Sequence, residues 1–234
     1  MPVVADAVSL LGAWQPQTSR SLQALGAQEA ALPPDLVQAT GGGGRIQLRA
    51  ERWQLGRPAC GECRLVRIEG ATSEIVNVLV FPSNPRTTPT FVAEGLVFGG
   101  RLRLAFVDVQ TPGMDAAPAA LVGRRTAALA GRLDGQRPGA PELPAWAVDH
   151  SPGHYFAARD DDGASAAVLE TAYREYLDLW VELAGAAAAP DDADAAALTA
   201  FKRSHLAHWP GTDYLAKLFG ADWSRRFIHE FLYR

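Results

Sequence analysis

Apolar residues follow a period of two from Arg45 to Val109 and a helical period after Pro112, and the change predicts a sheet followed by helices. Ile46, Leu48 and Ala50 alternate with Arg45, Gln47, Arg49 and Glu51, the pattern of a half-buried strand. A second strand is expected over 63–69. Ile75 to Phe81 is nearly continuous in apolar residues, which predicts a central strand covered on both faces. Phe91 to Phe98 reads as a fourth strand, and Gly99-Gly100 as the tight turn into a fifth, Arg101 to Val109. Strands joined by short turns pair antiparallel, because parallel neighbours need long crossovers.

The flanking segments predict helices. Upstream, a helix is expected between Ser19 and Ala31, halted by Pro33-Pro34, with Gly41 to Gly44 as a hinge. After Pro112 comes an Ala-rich helix over 115–132, a Gly/Pro-rich connector over 132–145, and a short strand at His154–Ala158 ending at Arg159. Leu169, Tyr173, Tyr176, Leu177, Trp180 and Leu183 form a helical stripe within 165–184. Two more helices are expected at 192–207 and 212–232. Strands first and helices afterwards indicate an α+β fold, a central antiparallel sheet packed by helices as in a three-layer α/β/α sandwich. The expected organisation is one domain over 1–234: an N-terminal helical segment (1–40), antiparallel strands (45–110), and a mainly helical remainder (115–234).

Composition narrows the function classes. The 234 residues are 48% hydrophobic and 21% charged, a globular balance, and the formal net charge of −4 supplies no bulk field for nucleic acid or an anionic membrane. No apolar run approaches the ~18 residues of a membrane span and no secretion signal is visible, so a cytoplasmic location is expected. The two cysteines, Cys60 and Cys63, form a Cys-x-x-Cys leading into a strand-like run. A thioredoxin-type pair would lead into a helix, and a zinc site would need two further ligands, for which His150 and His154 are poorly spaced. A pair of thiols at a strand edge is the simpler reading. There is no Gly-x-Gly-x-x-Gly turn, Walker loop, iron–sulfur cysteine cluster, metal-binding set or Gly-x-Ser-x-Gly elbow. For an oxidoreductase, the electrons would come from elsewhere.

A few polar residues interrupt apolar patterns. On the fifth strand Leu102, Leu104, Phe106 and Asp108 share one expected face, so Asp108 either sits desolvated with a raised pKa or caps the strand end at Thr111-Pro112. Asn77 shares a face with Ile75, Leu79 and Phe81, and its amide needs partners from backbone or ligand. Arg159 follows Tyr155-Phe156-Ala157-Ala158 and precedes Asp160-Asp161-Asp162. Its guanidinium suits either a carboxylate ligand or a local ion pair. His205 and His208 lie one helical turn apart, just before Trp209-Pro210, and are either proton shuttles or packing residues.

The order of three stretches resembles the ferredoxin-dependent bilin reductases over roughly residues 60 to 234. They are Ile75-Val76-Asn77-Val78-Leu79-Val80-Phe81-Pro82 with the hairpin ending Phe106-Val107-Asp108-Val109; Leu143-Pro144-Ala145-Trp146 with Ser151-Pro152 and Tyr155–Arg159; and Tyr214-Leu215-Ala216-Lys217-Leu218-Phe219-Gly220 with Trp223 and Phe231-Leu232. The resemblance implies an antiparallel sheet between helical layers, with a bilin held between the sheet and the C-terminal helices. It implies reduction of biliverdin to a phytobilin with electrons from reduced ferredoxin, no cofactor bound by the chain itself, and a haem oxygenase upstream. Carried onto this sequence, the family's central-strand proton donor matches Asp108, the neighbouring-strand position Asn77, and the propionate-binding arginine Arg159. A strand glutamate of some members falls near Leu65. A C-terminal loop aspartate falls around His208-Trp209, making His208 a candidate second proton source and Trp209 a candidate substrate contact. Other readings are a non-catalytic bilin carrier, a reductase of another open-chain tetrapyrrole, and a thiol-redox or metal protein built on Cys60 and Cys63.

Overall fold

The computed structural model describes residues 9–57, 59, 61–133, 143–159, 165–187 and 196–234. Its centre is an antiparallel sheet of β1 (Gln28–Glu29), β2 (Gln38–Gly41), β3 (Ile46–Leu55), β4 (Gly61–Gly70), β5 (Ser73–Pro82), β6 (Thr90–Phe98), β7 (Arg101–Gln110) and β8 (Phe156–Ala158). The order across the sheet is β1-β3-β4-β5-β6-β7-β8, with β2 also pairing on β3. Gly99 and Gly100 both take positive φ, at 64° and 71°, as a two-residue hairpin turn between right-twisted strands requires.

Alternation along the strands builds two apolar cores, one on each face. On one face Val76, Val78, Phe91, Val107 and Val109 meet α1 (Trp14–Ala24), α3 (Ala116–Leu133) and α5 (Ala166–Gly185). The α1–α5 contact centres on Trp14, whose ring stacks on Tyr173 with centroids 4.5 Å apart. On the other face Val66, Ile68, Leu79, Val92 and Phe106 meet α6 (Ala196–His208), α7 (Gly211–Phe219), α8 (Ala221–Arg226) and the π-helical turn Phe227–Leu232. The short elements are α2 (Pro34–Val37), started by Pro34 in its first turn, a 3-10 turn at Gly42–Gly44 and α4 (Ala145–Val148). The three-layer α/β/α arrangement is the one expected from the sequence.

Three local expectations are corrected. The first helix ends at Ala24, not Ala31, because Gly26 turns the chain with φ 74° and frees residues 28–29 to pair with β3. The expected helix over 212–232 is broken at Gly220 (φ 91°, ψ 149°), so α7, α8 and the π turn wrap round the sheet instead of running straight past it. The register between β6 and β7 shifts at Leu96/Val97, leaving Arg103 as an extra residue. Leu102 therefore joins the α5-side core, while Leu104 and Phe106 face the C-terminal helices. None of the described helices is long and apolar enough to cross a membrane.

Candidate active site

Three rows of cross-strand neighbours form the face under the C-terminal helices. Ile68, Ile75, Leu96 and Leu104 make the first row, Val66, Asn77, Glu94 and Phe106 the second, and Arg64, Leu79, Val92 and Asp108 the third. Glu94 thus sits near the middle of a largely apolar floor, on the strand beside Asn77 and directly opposite it. The α6–α7 corner and the α4 segment roof this floor and leave a cleft of two lobes. The larger lobe encloses about 830 Å³, open to solvent, and reaches Asn77, Phe106, Trp146, Arg159, His205 and Tyr233. The smaller, also open to solvent, spans about 560 Å³ among Ile75, Leu96, Phe98, Tyr214 and Leu215. Glu94 and Trp209 line both.

Trp209 Nε1 donates to Glu94 Oε1 at 3.1 Å. Loss of hydration holds the Glu94 carboxyl above the ordinary glutamate range, and the bond from Trp209 opposes that rise. Opposite it, Asn77 is buried, and its Oδ1 accepts no hydrogen bond among the described residues. A buried amide oxygen needs a donor, which a water or a ligand N–H in the cleft can supply. The floor therefore offers a protonatable carboxyl beside a waiting acceptor.

Asp108 lies one row away from Glu94, fully buried, and is not among the residues lining the cleft. Gln110 and Ser151 are its polar neighbours, but neither carboxyl oxygen reaches regular hydrogen-bond geometry. Burial outweighs these contacts and that of the Val109 backbone, and pushes the pKa up to about 7. Because the folded pKa exceeds the unfolded one, the native state binds the extra proton. Stability is fully present below the unfolded value near pH 4 and is lost as pH rises through about 7, by at most about 4 kcal/mol. Asp108→Asn should flatten that decline. Urea midpoints of both proteins between pH 4 and 8 check it; parallel curves would mean that Asp108 ionises without cost.

The remaining candidates separate. Arg159 is exposed at the larger lobe, and Trp209 forms part of the roof. Asp160 to Asp162 lie outside the described residues, as does Cys60. His208 does not line the cleft: it is exposed, its Nδ1 bonds the Ser204 carbonyl at 2.8 Å, and its ring stacks over Trp146 with centroids 6.3 Å apart. The inward place on α6 belongs to His205, which lines the larger lobe. Burial lowers the His205 pKa to about 4; the Phe201 carbonyl opposes this, while His150 and His208 add to it. Its Nδ1–H donates to that carbonyl at 3.3 Å in the tautomer making the bond, which leaves Nε2 as an acceptor. Leu65 is buried in the opposite core, and Val66 holds the place beside Asn77. Cys63 is buried in the α5-side core with its thiol pKa pushed far up by burial, the reverse of a reactive thiol. Among the described residues, no group of three or more His, Cys, Asp or Glu side chains is arranged to hold a metal ion.

A cleft of this kind, between a sheet and C-terminal helices, can be compared with known proteins. The family model for ferredoxin-dependent bilin reductases matches residues 16–234. The chain belongs to that family. As a bilin reductase it is 26% identical over 221 residues to the 15,16-dihydrobiliverdin:ferredoxin oxidoreductase of Nostoc punctiforme, covering 88% of this chain and 87% of the relative. It is 26% identical over 188 residues to the protein of the same name from Gloeobacter violaceus, covering 74% and 75%. Its fold is similar to tomato phytochromobilin synthase, solved in complex with biliverdin, with a TM-score of 0.72 at 15% identity over 94% of this chain and 82% of that one.

Within the bilin reductase fold, the acid on the strand next to Asn77 is Glu94; Asp108 is two strands away. Sequence reasoning missed Glu94, although the signal was present. Val92, Glu94, Leu96 and Phe98 alternate on one face, so Glu94 breaks an apolar row as Asp108 does.

Proposed function

We propose that this bilin reductase binds biliverdin in the two-lobed cleft and reduces it with two electrons from ferredoxin and two protons, giving a dihydrobiliverdin. The observation that carries this reading is Glu94: a desolvated carboxyl at the boundary of two lobes lined mainly by apolar side chains, facing an acceptor-bearing neighbour. The names of the two sequence relatives favour the 15,16 bond as the one reduced.

The chemistry divides between pigment and protein. An open-chain tetrapyrrole is a conjugated system that accepts single electrons itself, so the chain's work is to hold it, exclude water and place protons. Glu94 carries its proton into the cleft and is the donor to the reduced pigment. Asn77 Oδ1 and His205 Nε2 are acceptors suited to pyrrole or lactam N–H groups. Arg159, at solvent, suits a propionate. Asp108 is a buried proton store one row away, and His208 is an outer reservoir instead of a direct donor. Ferredoxins are acidic, so docking falls on the C-terminal face that carries the exposed Arg203, Lys217 and Arg225. A ring-opening haem oxygenase supplies the substrate, and the site of action is the cytoplasm.

Biliverdin titrated into the protein should shift its visible absorption at a saturable 1:1 ratio. Arg159→Gln should weaken this binding about threefold to tenfold while leaving the bound spectrum unchanged, because an exposed charge pair contributes modestly. Failure to saturate would remove the cleft as the pigment site. Unchanged affinity in the variant would remove Arg159 from propionate binding.

A further inference from the structure

We propose that Trp209 is the positioning residue for Glu94, holding its carboxyl at the boundary of the two lobes through the indole N–H and thereby setting its acidity. The inference rests on the reading of Glu94 as proton donor for its functional meaning, but not for its test.

Three observations converge on the indole. Its Nε1 donates to Glu94 Oε1 at 3.1 Å from the roof, across the cleft from the strand that carries the acid. Its ring is braced edge-to-face by Tyr233, with centroids 6.3 Å apart. Its six-membered ring also folds back over residue 211, where a glycine leaves the space: a Cβ there would overlap Cζ2 and Cη2 of Trp209. Gly211 does not have a positive φ, so the absence of a side chain at this position serves the indole and not the backbone. An indole that packs on Tyr233 and over Gly211, with its N–H on one carboxyl oxygen, is a preorganised donor.

The groups that face Glu94 leave this bond as the main specific influence on it. Asn77 from β5 and Phe106 from β7 are neutral. Tyr233 from the C-terminal segment and Tyr214 from α7 are phenols whose pKa burial raises further, so both remain uncharged near neutrality. His205 from α6 is neutral there for the same reason of burial. Arg159, a cation in the larger lobe, is exposed to solvent and screened. A donor to the charged form stabilises the carboxylate, so removing it raises the pKa. Protonated Glu94 is the working form of a proton donor. The high-pH fall in turnover should therefore move to higher pH when the bond is lost.

The test is an infrared titration of the Glu94 carboxyl stretch, assigned by its loss in Glu94→Gln. Trp209→Phe keeps a ring against Tyr233 but has no N–H; its Glu94 midpoint should move up by about one pH unit, the scale of one lost hydrogen bond to a charged group. Gly211→Ala leaves Trp209 in the sequence and displaces the indole, and should move the midpoint in the same direction. It also stands as the independent variant if Trp209→Phe folds poorly. A midpoint unchanged in both variants, or one that falls, overturns the proposal. Ferredoxin-driven turnover of Glu94→Gln, measured separately, tests whether Glu94 donates at all. A shifted titration with normal Glu94→Gln turnover would keep the positioning and remove the donor.

Discussion

Glu94→Gln is expected to bind biliverdin within about threefold of the parent protein and to lose roughly 100-fold to 10,000-fold in the rate of ferredoxin-driven reduction, the range set by removing a positioned acid. Glutamine is the informative replacement because its amide oxygen can still accept from Trp209 Nε1, as Glu94 does at 3.1 Å. The floor keeps its shape and loses the proton. Stopped-flow absorbance after mixing the anaerobic pigment complex with reduced ferredoxin reads the effect directly. One-electron reduced pigment should accumulate where the parent protein passes on to product. A rate within about threefold of the parent would mean that the protons come from elsewhere, with Asp108 next in line.

The largest stability effect is expected at the far end of the third floor row. Arg64 is 2% exposed, and its guanidinium donates to Glu62 and to the Phe231 carbonyl in the π-helical turn. This cation ties the last turn of the chain to β4, under the roof of the cleft. Beside it, burial, together with the positive charge of Arg64, lowers the Lys202 pKa to about 8, and Lys202 Nζ lies 4.3 Å from the centre of the Phe81 ring. Arg64→Leu would leave the Phe231 carbonyl without its donor and Glu62 with Arg52 alone. Breaking one side of a buried ion pair costs about 3 kcal/mol. Because Glu62 is partly exposed and keeps a second partner, the loss should fall near that figure and not above it. Urea unfolding measures it, and hydrogen exchange should show Phe227–Leu232 losing protection before the strands. A loss under about 1 kcal/mol would mean that apolar packing of Phe227 and Phe231 alone holds the tail in place.

Much of this architecture was legible because strand periodicity is robust. Five long strands and the 166–185 helix were placed within a few residues, since each carries a full apolar face or stripe. The misses have physical causes. A single glycine with φ 91° converts an apparently continuous helix over 212–232 into a wrapping tail, and no period in the sequence marks that corner. The bulge at Arg103 is similarly silent, and it moved Leu102 to the opposite core. At the site, Asn77, Trp209 and Arg159, all picked out from the sequence, line the larger lobe of the cleft. Asp108 met the expectation of burial and a raised pKa, but register on one strand cannot say which of two acidic rows lies under the opening. Glu94 needed only the alternation test already applied to its neighbour. His208 and His205 share a helix, and the choice between them depended on how the chain turns at Trp209-Pro210, a tertiary fact.

The central claim is that this cleft holds biliverdin while ferredoxin supplies the electrons and the protein places the protons. The measurement that tests it most directly is an anaerobic titration of the protein–biliverdin complex with reduced ferredoxin, followed by chromatography of the pigment. The account predicts consumption of two electrons per pigment and recovery of a dihydrobiliverdin reduced at the 15,16 bond. Recovery of unchanged biliverdin in the presence of excess reduced ferredoxin would contradict it.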